Sequence, residues 1–144
     1  MEEELKYWLA FSKLEGVGSA SLFDIYEHFH SMKAAWIASA LDWQEVKQLR
    51  KSTICEFKEN QKKINVDKVE EEFLKKNINV ITIADEKYPA ELKNLPDPPA
   101  ILFYKGDFLN KDLSKALAVV GSRKCSSSEI ENTTFIIKSL KPAN

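Results

Sequence analysis

The sequence predicts an α/β chain in two parts, an all-helical domain over residues 1–65 and the start of a parallel-sheet α/β domain over residues 66–144. Three observations predict it. Up to Asn65 the apolar residues recur at helical spacing and include all the tryptophans. Val80–Ile83 and Ala100–Tyr104 read as strands bounded by turn residues. Leu117–Val120 is a continuous apolar run, as suits a strand covered on both faces of a parallel sheet, and a segment with helical spacing follows it.

Composition bounds the functions. The chain has 144 residues, a formal net charge of −1 and two cysteines, Cys55 and Cys125, far apart. Up to Asn65 there are 9 basic and 10 acidic residues, and beyond it 12 of each, so neither part is a basic polyelectrolyte. Nucleic-acid binding would have to come from a local site. No CxxC or Cys/His cluster points to zinc or to a disulfide scaffold. The sequence shows no membrane-length apolar run and no signal-peptide core, which reads as a cytoplasmic protein without a membrane partner.

In the helical part, Glu2–Lys13 is an amphipathic helix with Leu5, Trp8 and Leu9 on one side. Leu14-Glu15-Gly16-Val17-Gly18 interrupts it, and Ser19 is placed to cap a second helix that turns Leu22, Phe23, Ile25, Tyr26 and Phe29 inward. Two helices joined by hxGhG form a helix-hairpin-helix pattern. Gly16 and Gly18 then either allow tight helix packing or turn backbone N–H groups toward a DNA phosphate. Ser31 starts a short helix through Ala40, Asp42 caps another carrying Trp43, Val46 and Leu49, and Thr53–Ile64 forms a longer one. Aromatic residues at this spacing build a core. His28 and His30, two apart on a helix, point away from each other and do not make a metal pair.

In the second part, Asp67 and Glu70 are placed as N-cap and N3 acid of a charged helix, Lys68–Lys76. A turn over Asp85–Pro89 leads to a short helical piece, Ala90–Lys93. Pro96, Pro98 and Pro99 hold an extended connection to the second strand. Leu109–Ala116 reads as a linker or short helix into Leu117–Val120. Gly121 at the end of that run gives close backbone access, Ser126 can cap the following helix, and Arg123 adds a planar fork suited to phosphate. Such a stretch is either an ordinary strand-to-helix turn or an anion site.

Tyr88-Pro89, Leu92, Leu95-Pro96-Asp97-Pro98-Pro99, Ile101–Asp107 and then Val120-Gly121-Ser122-Arg123 follow one another in an order and spacing that resembles the DNA-processing protein A family (DprA, also called Smf). The resemblance implies a sterile-alpha-motif-like (SAM-like) helical domain followed by a Rossmann-like domain, here truncated. It implies a non-enzymatic, cofactor-free protein of natural transformation that binds single-stranded DNA and helps load RecA. In that reading Gly121 gives backbone access, Ser122 and Ser126 donate hydrogen bonds, Arg123 pairs with a phosphate and Lys124 adds longer-range attraction. Gly16 and Gly18 are a secondary DNA contact.

Two departures stand out. Ser128-Glu129 replaces the family's aromatic-glycine pair and sets a negative charge near the proposed phosphate. Asn144 falls where a second parallel strand would begin, as in a truncated chain or a gene remnant. An incomplete sheet around Leu117–Val120 would favour self-association. Two further readings are a helical interaction module without DNA binding and a Rossmann-like nucleotide-processing enzyme. The second needs a glycine-rich loop, and the chain has only four glycines and no such loop.

Overall fold

The structure, a computed structural model, describes residues 2–46, 49, 51–107 and 117–140. The expected linker Leu109–Ala116 therefore lies outside the described residues. The chain divides into two compact units, Met1–Lys111 and Asp112–Asn144.

In the first unit, helix α1 (Glu2–Ser12) buries Trp8, Leu9, Ala10 and Phe11 in succession. Four consecutive buried residues go around a helix that turns every 3.6 residues, so α1 needs neighbours on more than one face. It finds them in α2 (Ser19–Phe29), α3 (Met32–Ile37) and α5 (Val66–Lys75). Ser31 caps α3 as its sequence predicts, its Oγ accepting the Ala34 N–H at 3.0 Å. The same hydroxyl donates to Glu4 Oε1 at 2.7 Å, and the Met32 N–H donates to Glu4 Oε2 at 2.8 Å, fixing the start of α3 to α1.

Several aromatic residues of the helical part form one cluster. Phe11 meets Trp36 edge-on at 4.9 Å and lies 5.7 Å from Trp43. Trp43 meets Phe57 of α4 (Lys51–Gln61) edge-on at 5.9 Å, and its indole N–H donates to the Ala35 carbonyl at 3.0 Å. Lys58 lies over the Trp43 ring and donates to the Ala38 carbonyl at 2.6 Å, and burial lowers its pKa from the ordinary lysine value. Each fully buried large side chain of this kind contributes about 1.5–3 kcal/mol.

The core continues past residue 65. Ile81, Ile83, Tyr88 and Ala100 join the same buried cluster as Trp8, Phe11 and Trp43. Strands β1 (Asn79–Thr82) and β2 (Ile101–Tyr104) pair antiparallel with Ile81 opposite Leu102. Between them lies the short helix α6 (Ala90–Lys93). Asp85 Oδ2 accepts both the Thr82 N–H and the Thr82 hydroxyl at 2.7 Å, which turns the chain at the end of β1. The Tyr88 hydroxyl donates to the Pro99 carbonyl at 2.6 Å and fastens the proline-rich connection. Phe73 of α5 stacks on Phe103 at 5.1 Å, and Lys6–Asp67 and Lys13–Glu72 ion pairs join α1 to α5.

Several local details differ from those the sequence predicts. Gly18, not Ser19, is the N-cap of α2, with no side-chain cap bond, because the helix begins at Ser19 itself, one residue too early for the serine to cap it, and Phe23, expected inward, is exposed. Asp42 does not cap a helix through Leu49. It is the acid of a box begun by Ser39, accepting the Ser39 N–H at 2.8 Å while its own N–H donates to Ser39 Oγ, and only a 3-10 turn, Asp42–Glu45, follows. Asn65 rather than Asp67 caps α5, accepting the Lys68 N–H at 3.0 Å. Asn77, with φ at 51°, ends α5. The Ile78 N–H reaches back to the Phe73 carbonyl and the Asn77 N–H to the Leu74 carbonyl, a left-handed helix stop.

In the second unit, Leu117–Val120 forms no regular element and pairs with no strand among the described residues, and all four residues are exposed, Val120 at 92%. The parallel sheet expected here is absent among the described residues, whose one sheet is the antiparallel β1–β2 pair. The physical reason is the lack of a neighbouring strand: an apolar run becomes a buried strand only where a ladder and a covering layer meet it. Helix α7 (Ser127–Ser139) does form, close to the predicted bounds.

The shared core sets a test of the division at residue 65. We expect a 1–107 piece to melt cooperatively and at a higher temperature than a 1–65 piece, since residues 66–107 supply Val69, Ile81, Ile83, Tyr88 and Ala100 to the buried set. Equal melting temperatures by circular dichroism would mean that these residues add nothing to the helical core.

Candidate nucleic-acid interface

The glycine-serine turn sits between the Leu117–Val120 run and α7. Gly121, Ser122, Arg123, Lys124 and Ser126 are all exposed, and the chain bends at Arg123–Lys124. Ser122 Oγ accepts the Lys124 N–H at 3.1 Å, which tightens the bend. The side chains of Arg123 and Lys124 are exposed and have no partner among the described residues. Gly121 has no positive φ, and a Cβ there would meet nothing within 4 Å. Neither its backbone conformation nor its surroundings require glycine.

Ser126 closes the turn as the N-cap of α7. Its N–H and its hydroxyl both donate to Glu129 Oε2, at 2.6 and 2.7 Å, and its Oγ accepts the Glu129 N–H at 3.3 Å. This capping box holds the Glu129 carboxyl below the ordinary glutamate range, through the backbone bond from Ser126 first and then the hydroxyl bond. Glu129 thus occupies the helix start itself, and a phosphate seeking the Ser126 hydroxyl must compete with a carboxylate already bonded to it. The sequence shows Glu129 as a charge near the site. The box, which follows from the Ser-x-x-Glu spacing, was the readable signal for its local partner.

The second sequence-predicted contact lies in the other unit. Gly16 has φ at +78° and shapes the turn between α1 and α2, whereas Gly18 is extended, with φ −94° and ψ −178°. Glu15, Gly16 and Gly18 are exposed, and their N–H groups have no acceptor. The turn thus offers free donors, with the Glu15 carboxylate alongside them. Both cysteines are free and exposed, and no cluster of metal-ligating side chains occurs among the described residues. No helix among the described residues is long and apolar enough to cross a membrane.

The sequence pattern of the family described as DNA recombination-mediator protein A matches residues 79–144. The chain is similar to Protein Smf of a Synechocystis species, with 30% identity over 118 residues, covering 82% of this chain and 30% of that protein. It is similar to DNA processing protein DprA of Bacillus subtilis, with 39% identity over 51 residues, 35% of this chain and 17% of that protein. It is also similar to DNA processing protein DprA of Streptococcus pneumoniae, with 42% identity over 62 residues, 42% of this chain and 21% of that protein. The matches thus span less than a third of the length of each of these relatives. No solved structure matches the chain.

Two outcomes test the local geometry. Gly16→Ala should destabilise the first unit by about 1 kcal/mol, because alanine resists positive φ. Gly18→Ala should cost at most about half of that. Denaturant melts of the two variants make the comparison, and equal losses would show that positive φ at Gly16 is not what sets the cost. The second outcome concerns pH. The folded-state pKa of Glu129 is lowered, so the box stabilises α7 above the unfolded value and is lost as pH falls through the folded one. Hydrogen exchange should show the first turn of α7 keeping its protection until the pH is below the ordinary glutamate range. Fraying that begins near neutral pH would contradict the bonding around Ser126.

Proposed function

Because the chain belongs, by a partial match, to the DprA/Smf family of DNA recombination-mediator proteins, we propose that it serves as a non-enzymatic binder of single-stranded DNA in natural transformation. Its place of action is the cytoplasm, where it escorts incoming strands and assists RecA loading. One observation supports this reading above the rest: Arg123 and Lys124, unpaired among the described residues, stand on an exposed turn that leads into the capped N-terminus of α7. A guanidinium fork, an ammonium and the backbone of Gly121 and Ser122 together suit a phosphodiester, with the α7 dipole adding positive potential. Ser126 joins them once a phosphate displaces its proton from Glu129. The chemistry is binding alone, with no cofactor. The free N–H groups around Gly16 and Gly18 form a secondary, sequence-independent contact.

A second reading, a helical interaction module without DNA binding, draws on the exposure of Leu117–Val120. An unpaired apolar run supports the turn poorly and invites self-association, which would occupy the same surface. Fluorescence anisotropy of a labelled oligothymidylate, with salt varied, separates the two. Under the DNA-binding reading Arg123→Ala weakens binding and reduces the slope of log affinity against log salt by about 0.7, the effect of one phosphate contact on a single strand. An identical affinity and slope for the parent and Arg123→Ala would leave the interaction-module reading standing.

A further inference from the structure

The first unit holds a cavity of about 550 Å³, bordered by α1, the junction of α2 and α3, and the turn after β1. Leu5, Trp8 and Tyr26 give it an apolar and aromatic lining, and Glu4, Asp85 and Glu86 bring three carboxylates to it. Lys87 and the exposed His30 also border it, so negative charge predominates at neutral pH.

The telling residue is Trp8. It is 98% buried, at 2% exposure, and its ring lies 5.2 Å from that of Tyr26. Its indole N–H has no hydrogen-bond partner, whereas the Trp43 N–H is bonded to a carbonyl. No side-chain polar atom that is both closed from solvent and unbonded occurs among the described residues. The Trp8 N–H therefore belongs to the small part of the residue still open, and Trp8 borders this cavity. Water can reach that N–H, and an acceptor oxygen entering the cavity would bond it in water's place.

The carboxylates differ in what they have left to give. Glu4 is engaged with Ser31 and Met32, and Asp85 uses Oδ2 for Thr82, while Glu86 is exposed and has no partner. A ligand suited to all of this has an acceptor carbonyl for Trp8, an aliphatic stem to lie against Leu5 and Tyr26, and a cationic head for Glu86 and its neighbours. Anionic ligands face three carboxylates.

The geometry points to a binding site for an arginine side chain presented by a peptide segment, with a peptide carbonyl accepting from Trp8 and the guanidinium held at the acidic mouth. The site is distinct from the Gly121–Ser126 turn and takes a ligand of the opposite charge.

Isothermal titration of the full chain with N-acetylarginine methylamide tests it, with the uncharged citrulline amide and adenosine monophosphate as comparisons. We expect saturable binding of the arginine compound, weaker binding of the citrulline one and none of the nucleotide. Glu86→Gln, at an exposed and unpartnered position, should weaken the arginine compound about threefold. Trp8→Phe, checked for folding by its thermal melt, should weaken it about fivefold. No saturable heat, equal binding of the citrulline compound, tighter binding of the nucleotide, or an unchanged dissociation constant in Glu86→Gln would each overturn the assignment.

Discussion

The run Trp8-Leu9-Ala10-Phe11 is the constraint on which the first unit depends. A helix with four consecutive buried residues cannot lie on a surface; it must be enclosed. That demand explains why α2 and α3 fold back on α1, why Glu4 reaches across to the start of α3, and why α5 is held by Lys6 and Lys13. The exposed ion pairs add little energy by themselves, and their effect is to select one placement among several that would bury the same apolar area.

The second unit follows a different logic. Its helix is fixed by local bonds: a capping box at the start, and threonine and serine hydroxyls returning to carbonyls one turn back along its length. Ile130, Phe135, Ile136, Ile137 and Leu140 all remain exposed. Order here comes from backbone and side-chain hydrogen bonds near in sequence, without the long-range burial that secures α1. The cations proposed to hold DNA thus sit on the less enclosed of the two units, and the vacant donor of Trp8 lies in the better enclosed one.

Much of this was legible in the sequence, and the exceptions have physical causes. Helical spacing placed α1, α2 and α7, β-branched and apolar runs placed β1 and β2, and Ser31 declared itself as a cap. Caps were misplaced where two residues competed for one role, as Asn65 and Asp67 did, and as Ser39 did with Asp42. Periodicity cannot decide which oxygen reaches an N–H first. The run Leu117–Val120 looked like a central strand because its composition suits one, but a strand is a relation between two segments and its composition belongs to only one of them. The Gly-Ser-Arg-Lys stretch could be located by reading alone. The Ser-x-x-Glu spacing also signals the bond between the Ser126 hydroxyl and Glu129, but it does not say that the bond occupies a hydroxyl the proposed site would use.

The stack of Phe73 on Phe103 carries an implication for how such a chain can be inherited. Phe73 lies before the family-matched stretch and Phe103 within it, and that stretch itself is divided between the two units. The stretch matched by the family pattern is therefore not the segment that closes its own core. A recombination event that carried residues 79–144 alone to a new gene would bring β1 and β2 without the ring and helices they rest on.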